Sequence, residues 1–267
     1  MKFRAAMATA AVVPLALGLA ACGNDKPEAT GYKPSVPAST TPAPTPVATK
    51  TTEPAQPAPV VHLNRVTFVP AMTAAVGKQK SWHTIGTMSM NGRKLMTMDG
   101  YQTANPVAMS MEMTGEAFQG KTAKIVVVKN TAYVSIPGMT PAGKFAEFKS
   151  GANEQLSQLV EGGDPTKIYK SFGSSLMDAK FAGEETIGGQ KLDRYNVTVN
   201  TAKALAAQGK KVPAGVPAAL TYSMWMDKAH LIRRLAFDLS GVSMVMNLTD
   251  YNKPVHITAP PASKIVK

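Results

Sequence analysis

The chain has 267 residues and a formal net charge of +12, enough length for one domain with a substantial core. Its single cysteine, Cys22, excludes any intramolecular disulfide and leaves a cysteine-based metal site short of ligands. The positive charge favours anionic surfaces such as lipid headgroups, although the basic residues are dispersed along the chain.

Met1 to Arg4 carry two positive charges, and Ala5 to Leu17 is apolar but shorter than the about 20 residues a membrane-spanning helix needs. This is the pattern of a signal peptide. The next residues, Leu19-Ala20-Ala21-Cys22, resemble the lipobox of bacterial lipoproteins, with a branched residue three places before the cysteine and small residues between. The resemblance implies cleavage after residue 21 and a diacylglyceryl group on Cys22. Two acyl chains give stable attachment where one anchors only marginally, so the expected location is the extracytoplasmic face of the cell membrane. Cleavage would remove Lys2 and Arg4 and leave a charge of +10. Outside the cell nucleic acid is not an expected partner.

Gly23 to Val60 is rich in Pro, Thr, Ala and Ser and has no apolar pattern from which to build a core. Residues 22–60 therefore read as a semi-extended tether reaching about 100 Å at most, at roughly 3.1 Å per residue. Residues 61–267 read as one domain.

In that domain Phe68, Val69, Met72 and Val76 fall at helical spacing, with Thr67 placed as cap and Pro70 inside the first turn, predicting a helix over 66–76. The period then changes to two. Ser81 to Met90, Asn91-Gly92 and Arg93 to Gln102 give a hairpin signal, followed by strand-like runs at Val107 to Thr114 and Ala123 to Ile136, the second with a turn near Asn130. A helical interlude covers Asn153 to Phe172, with Asp164-Pro165 opening its second helix. Strands resume at Lys180 to Thr186, turn at Gly188-Gly189 and return through Leu192 to Val199. Thr201 to Gln208 is a short Ala-rich helix, and four strands close the chain: Leu220 to Asp227, Leu231 to Leu239, Val242 to Thr249 and Val255 to Ala259. Adjacent strands with few helices predict an α+β fold, a curved antiparallel sheet of about ten strands with helices over one side.

Eleven of the 16 methionines stand two residues from another: Met88/Met90, Met96/Met98, Met109/Met111/Met113, Met224/Met226 and Met244/Met246. Residues two apart in a strand face the same way, so the sheet acquires one methionine-rich face, to which Leu235 and Phe237 add apolar bulk. Methionine is flexible and polarizable and suits a pocket for variable apolar shapes. These thirteen residues are the candidate cavity lining. Two other readings compete: gap-filling in an ordinary core, and Cu(I) binding by thioethers, against which stands the lack of clustered histidine.

The histidines His62, His83, His230 and His256 lack metal-ligand spacing, and no nucleophile elbow or phosphate-cradling glycine loop is present. Asp193, Asp227 and Asp238 lie beside Arg194, Lys228 and Arg233/Arg234, where ion pairing accounts for them. Nothing demands an enzyme, a metal or a cofactor.

Tyr222-Ser223-Met224-Trp225-Met226-Asp227, then Leu231-Ile232-Arg233-Arg234-Leu235 and Asp250-Tyr251-Asn252-Lys253-Pro254-Val255-His256-Ile257 before Pro260-Pro261, resemble the actinobacterial LppX/LprG family of lipoproteins. The opening helix, Gly188-Gly189 and Tyr195-Asn196-Val197 fit the same pattern, so the resemblance spans Val66 to Pro261. It implies a LolA-like half-barrel with helices over its concave face, and a hydrophobic cavity holding acyl lipids or glycolipids for carriage or presentation. A monomer is expected. Related folds also serve as envelope sensors, so a protein partner is the alternative expectation.

Overall fold

The computed structural model describes residues 61–149, 172–207, 211–212, 216–239 and 241–266. The signal peptide, the tether and most of the helical interlude lie outside them. Helix α1, Phe68–Val76, is preceded by a turn whose cap is Asn64 rather than Thr67. The Asn64 Oδ1 accepts from the N–H groups of Val66 at 2.9 Å and Thr67 at 3.2 Å, while the Thr67 Oγ1 accepts from the Asn64 N–H at 3.0 Å. Two side chains three residues apart thus close a reciprocal box that satisfies helix-end donors. The buried side of α1 is Phe68, Met72, Ala75 and Val76, at the spacing of one helical face.

Among the described residues the sheet has twelve strands: β1 Ser81–Met90, β2 Arg93–Ala104, β3 Val107–Gly115, β4 Thr122–Val128, β5 Thr131–Ser135, β6 Phe145–Lys149, β7 Leu176–Ile187, β8 Gln190–Asn200, β9 Ala219–Met226, β10 Ile232–Leu239, β11 Val242–Thr249 and β12 Ile265–Val266. Their spatial order is β12-β6-β5-β4-β3-β2-β1-β11-β10-β9-β8-β7. Two antiparallel meanders, β1 to β6 and β7 to β11, are joined where β1 pairs with β11. Tight turns follow from sequence: Asn91-Gly92, Lys129-Asn130 and Gly188-Gly189 all take positive φ, the conformation that matches a two-residue turn to the twist of its strands. A second helix, α2, Thr201–Ala206, is capped by the Asn200 side chain, which accepts from the Lys203 N–H at 2.9 Å.

Several elements differ from expectation. Strand β7 starts at Leu176, four residues before the alternation becomes regular, because bulges at Leu176/Asp178 and Phe181/Gly183 interrupt its period. Val255 to Ala259 joins no ladder. Strand β11 lies mid-sheet between β10 and β1, so the segment after it has no open edge beside it. Pairing resumes only at β12, which joins β6 in parallel. β6 and β12 are too short to show a period in sequence.

Registers align residues across the sheet. Ala123, Met113, Met98, Gly86, Met246, Leu235, Met224 and Tyr195 stand opposite one another on β4, β3, β2, β1, β11, β10, β9 and β8. In the next row Met96, Met88, Met244 and Phe237 follow on β2, β1, β11 and β10. Helix α1 packs on this face, here termed the inner face: Phe68 and Met72 meet Tyr195, Met224, Leu235, Phe237 and Met244 in one core cluster. A second cluster lies over β3 to β5 and gathers Met109, Met113, Phe118, Ile125, Val127 and Val134. Each fully buried side chain of this size contributes about 1.5–3 kcal/mol.

Candidate functional site

The thirteen candidate residues share the inner face but differ in exposure. Met109, Met113, Met224, Met226, Leu235, Phe237 and Met244 are buried in the two clusters, whereas Met88, Met96, Met98, Met111 and Met246 are half-buried. Met90, at the end of β1, is exposed. Met98 packs against both clusters, so the half-buried residues form a thioether-rich strip between α1's footprint and the β3 to β5 core.

Two glycines shape the floor of that strip. A Cβ on Gly86 would lie 2.5 Å from the Met98 Cγ, 2.8 Å from its Sδ and 3.4 Å from the Met246 Cγ. Two side chains therefore fold down into the space that Gly86 leaves. At Gly100 a Cβ would meet the Met111 Sδ at 2.8 Å, but also the Ser110 carbonyl oxygen at 2.5 Å. Methionine fills both notches with its most pliable atoms, and a three-torsion side chain leaves such a space at small cost. Deeper in the face, burial pushes the Tyr222 hydroxyl well above the usual phenol range. Its ring packs edge-on against Phe172 at 5.7 Å and Phe237 at 5.8 Å. The surroundings of this phenol are apolar and hold it neutral.

A separate apolar depression of about 430 Å³ lies beside α1, walled by Arg65, Val66, Val69, Pro70, Gly173 and Leu176. None of the thirteen candidates forms its wall. Sequence periodicity did not point there, because four of these residues, Arg65, Val66, Val69 and Pro70, belong to the turn and first helical turn rather than to a strand. The signal that could have been used is the Asn64-x-x-Thr67 capping box, which fixes Arg65 and Val66 in place.

The opposite, outer face carries a row of charges. Arg194, Trp225, Arg234, Asn247, Ile85, Asp99, Glu112 and Lys124 form one row across eight strands. The Trp225 indole lies between the guanidinium groups of Arg194, 5.5 Å from its centroid, and Arg234, 5.2 Å away. Its Nε1–H donates to Glu185 at 2.8 Å, and Arg194 donates to the same carboxylate at 2.9 Å. These two donors hold the Glu185 carboxyl below its usual range. Asp227 pairs with Arg233 at 2.6 Å, while Asp193, which lies opposite Met226 and so on the inner-face side of β8, pairs with Lys228 at 2.8 Å. The partners are not always sequence neighbours, because adjacent strand residues face opposite sides. His83 bonds Asp99 at 2.7 Å and stacks on Tyr101 with centroids 4.2 Å apart. Among the described residues no group of three or more His, Cys, Asp or Glu is placed to hold a metal, and no helix is long and apolar enough to cross a membrane.

An open twelve-stranded sheet with a helix packed on its apolar inner face is a half-barrel of the LolA-like type. Two mycobacterial lipoproteins share this fold. The crystal structure of LppX from Mycobacterium tuberculosis aligns at a TM-score of 0.52 and 16% identity, covering 73% of this chain and 98% of that one. LprF from Mycobacterium bovis aligns at 0.52 and 14% identity, covering 73% and 96%. The resemblance read from the sequence therefore holds at the level of the fold. No protein-family model and no curated protein sequence matches the chain.

Proposed function

We propose that this protein is an envelope lipoprotein, anchored through lipid on Cys22, that binds acyl lipids or glycolipids on its inner face and carries or presents them across the envelope. Residues 1–21 are the cleaved signal, 22–60 the tether and 61–267 the lipid-binding domain. It performs this role as a monomer, without a cofactor and without catalysis.

The observation that carries this reading is the half-buried strip of Met88, Met96, Met98, Met111 and Met246 on the inner face, between two packed cores. An apolar strip that core packing leaves half-open, floored by glycine notches and lined by pliable side chains, suits acyl chains of varying length. The need for such a surface follows from transfer energies. At roughly 0.8 kcal/mol per methylene, exposing a 16-carbon chain to water costs on the order of 12 kcal/mol, which bars unaided passage across an aqueous gap. The remaining candidates, Met90 at the rim and the buried Met109, Met113, Met224, Met226, Leu235, Phe237 and Met244, frame and support the strip.

Uptake of a fluorescent fatty-acyl probe tests the reading. Met98→Glu and Met111→Glu place a charge on the strip and are expected to reduce uptake at least tenfold without loss of the folded state. Unchanged uptake would remove the inner face from the binding site. Capture of a protein on this face, with no acyl uptake, would favour the sensor reading.

A further inference from the structure

The depression beside α1 lies apart from the methionine strip, and its wall includes an arginine. Most described arginines already have a carboxylate partner: Arg93 pairs with Glu116, Arg194 with Glu185 and Arg233 with Asp227. Arg234 is engaged with the face of Trp225. Arg65 has no ion pair among the described residues, is exposed, and stands on the wall of the depression beside α1. The rest of that wall is aliphatic or glycine: Val66, Val69, Pro70, Gly173 and Leu176.

We infer that this depression is a binding site for an anionic amphiphile, with the phosphate or carboxylate at Arg65 and the beginning of the acyl chain against Val69, Pro70 and Leu176. The inference rests on the lipid-binding reading above and gives an anionic amphiphile a site of its own, apart from the strip. Three observations support it. The volume of about 430 Å³ falls within the roughly 300–1,000 Å³ of small-ligand pockets. The pairing of one cation with an apolar wall is the complement of an anion on a hydrocarbon chain. The Asn64/Thr67 box fixes the backbone on both sides of Arg65, so the guanidinium is presented from an ordered turn.

Among the described residues the nearby charges do not cancel it. Asp178 lies close enough for Arg65 to help hold its carboxyl below the usual range, but Asp178 is already bonded to Lys180 at 2.9 Å. Arg65, Asp178 and Lys180 together leave one positive charge. A guanidinium is also suited to an oxyanion, because its planar donors match phosphate and carboxylate geometry two at a time. Val69 and Leu176 pack against the same core cluster as Phe68 and Met224, so the aliphatic wall of the depression is backed by that core.

The test uses the full chain carrying Cys22→Ser, which removes the acceptor for lipid attachment, and three palmitoyl probes. Palmitate supplies a carboxylate, palmitoyl lysophosphatidic acid a phosphate, and monopalmitoylglycerol neither. The anionic probes are expected to bind about tenfold more tightly than the neutral one. In Arg65→Gln that ratio should fall to about one with the neutral probe unaffected, and Arg65→Lys should keep part of it. Lys149→Gln, a remote surface change, should leave the ratio alone. Equal affinity for all three probes, or an equal loss in Lys149→Gln, would overturn the site while leaving lipid binding intact. Failure of every probe to bind would overturn the lipid reading and this site with it. Which anionic probe binds more tightly separates a phospholipid from a fatty acid.

Discussion

Adding one methyl group at each of three glycines on the inner face should separate Gly86 from Gly100 and Gly115. At Gly86 the new Cβ meets only side-chain atoms, the Met98 Cγ and Sδ at 2.5 and 2.8 Å and the Met246 Cγ at 3.4 Å. Both methionines can swing away, so Gly86→Ala should cost less than about 1 kcal/mol. At Gly100 the methyl meets the Ser110 carbonyl oxygen at 2.5 Å and the Met111 Cα at 3.0 Å, and at Gly115 it meets the Leu95 carbonyl oxygen and the Met96 Cα at 2.7 Å. These atoms belong to the paired backbone of β2 and β3 and yield only by distorting the ladder. The overpacking cost of about 1–3 kcal/mol should be reached or exceeded at both. Urea unfolding followed by tryptophan emission measures all three. Because the displaced Met98 rises into the half-open strip, Gly86→Ala should also bind a fatty-acyl probe several-fold more weakly while remaining folded. Equal destabilisation at the three positions, or full binding in Gly86→Ala, would refute the assignment of Gly86 as a notch in the binding floor.

Other perturbations test separate parts of the structure. Met224→Ala, at a position fully buried between Tyr195 and Leu235, should lower stability by about 2–5 kcal/mol in the same unfolding assay. The Glu185 carboxyl is held below its ordinary value of 4.5 first by the Trp225 Nε1–H and then by Arg194. Its contribution is therefore complete above about pH 4.5 and lost as the pH falls through the lowered folded value. A stability decline accompanied by a change in Trp225 emission is expected on that acid side, and Glu185→Gln should lack this component in a pH-dependent melting series. Cys22→Ser should abolish membrane retention in cell fractionation and labelling by a palmitate analogue.

The order of strands was largely legible because hairpin turns carry their own chemistry. Asn91-Gly92, Asn130 and Gly188-Gly189 each marked a two-residue reversal, and strict alternation such as Met109/Met111/Met113 assigned a face. Sequence order alone could not show that β1 closes on β11, since that pairing joins residues about 160 positions apart. Nor could it anticipate the unpaired course of Val255 to Ala259, which depends on where β11 lies in the sheet. The methionine face was readable from spacing, but the division into buried Met224 and half-buried Met98 depends on where α1 packs. Arg65 gave no periodic signal, and its position beside an apolar depression became evident only from the turn that Asn64 and Thr67 hold.

Native mass spectrometry of the chain purified gently from its own membrane, followed by solvent extraction, reads whether the inner face holds lipid. Bound acyl lipid, additional to the groups on Cys22 and lost in Met98→Glu, is the predicted result. Recovery of protein carrying nothing beyond its anchor, together with no uptake of a fluorescent fatty-acyl probe, would contradict a lipid-binding role for the inner face.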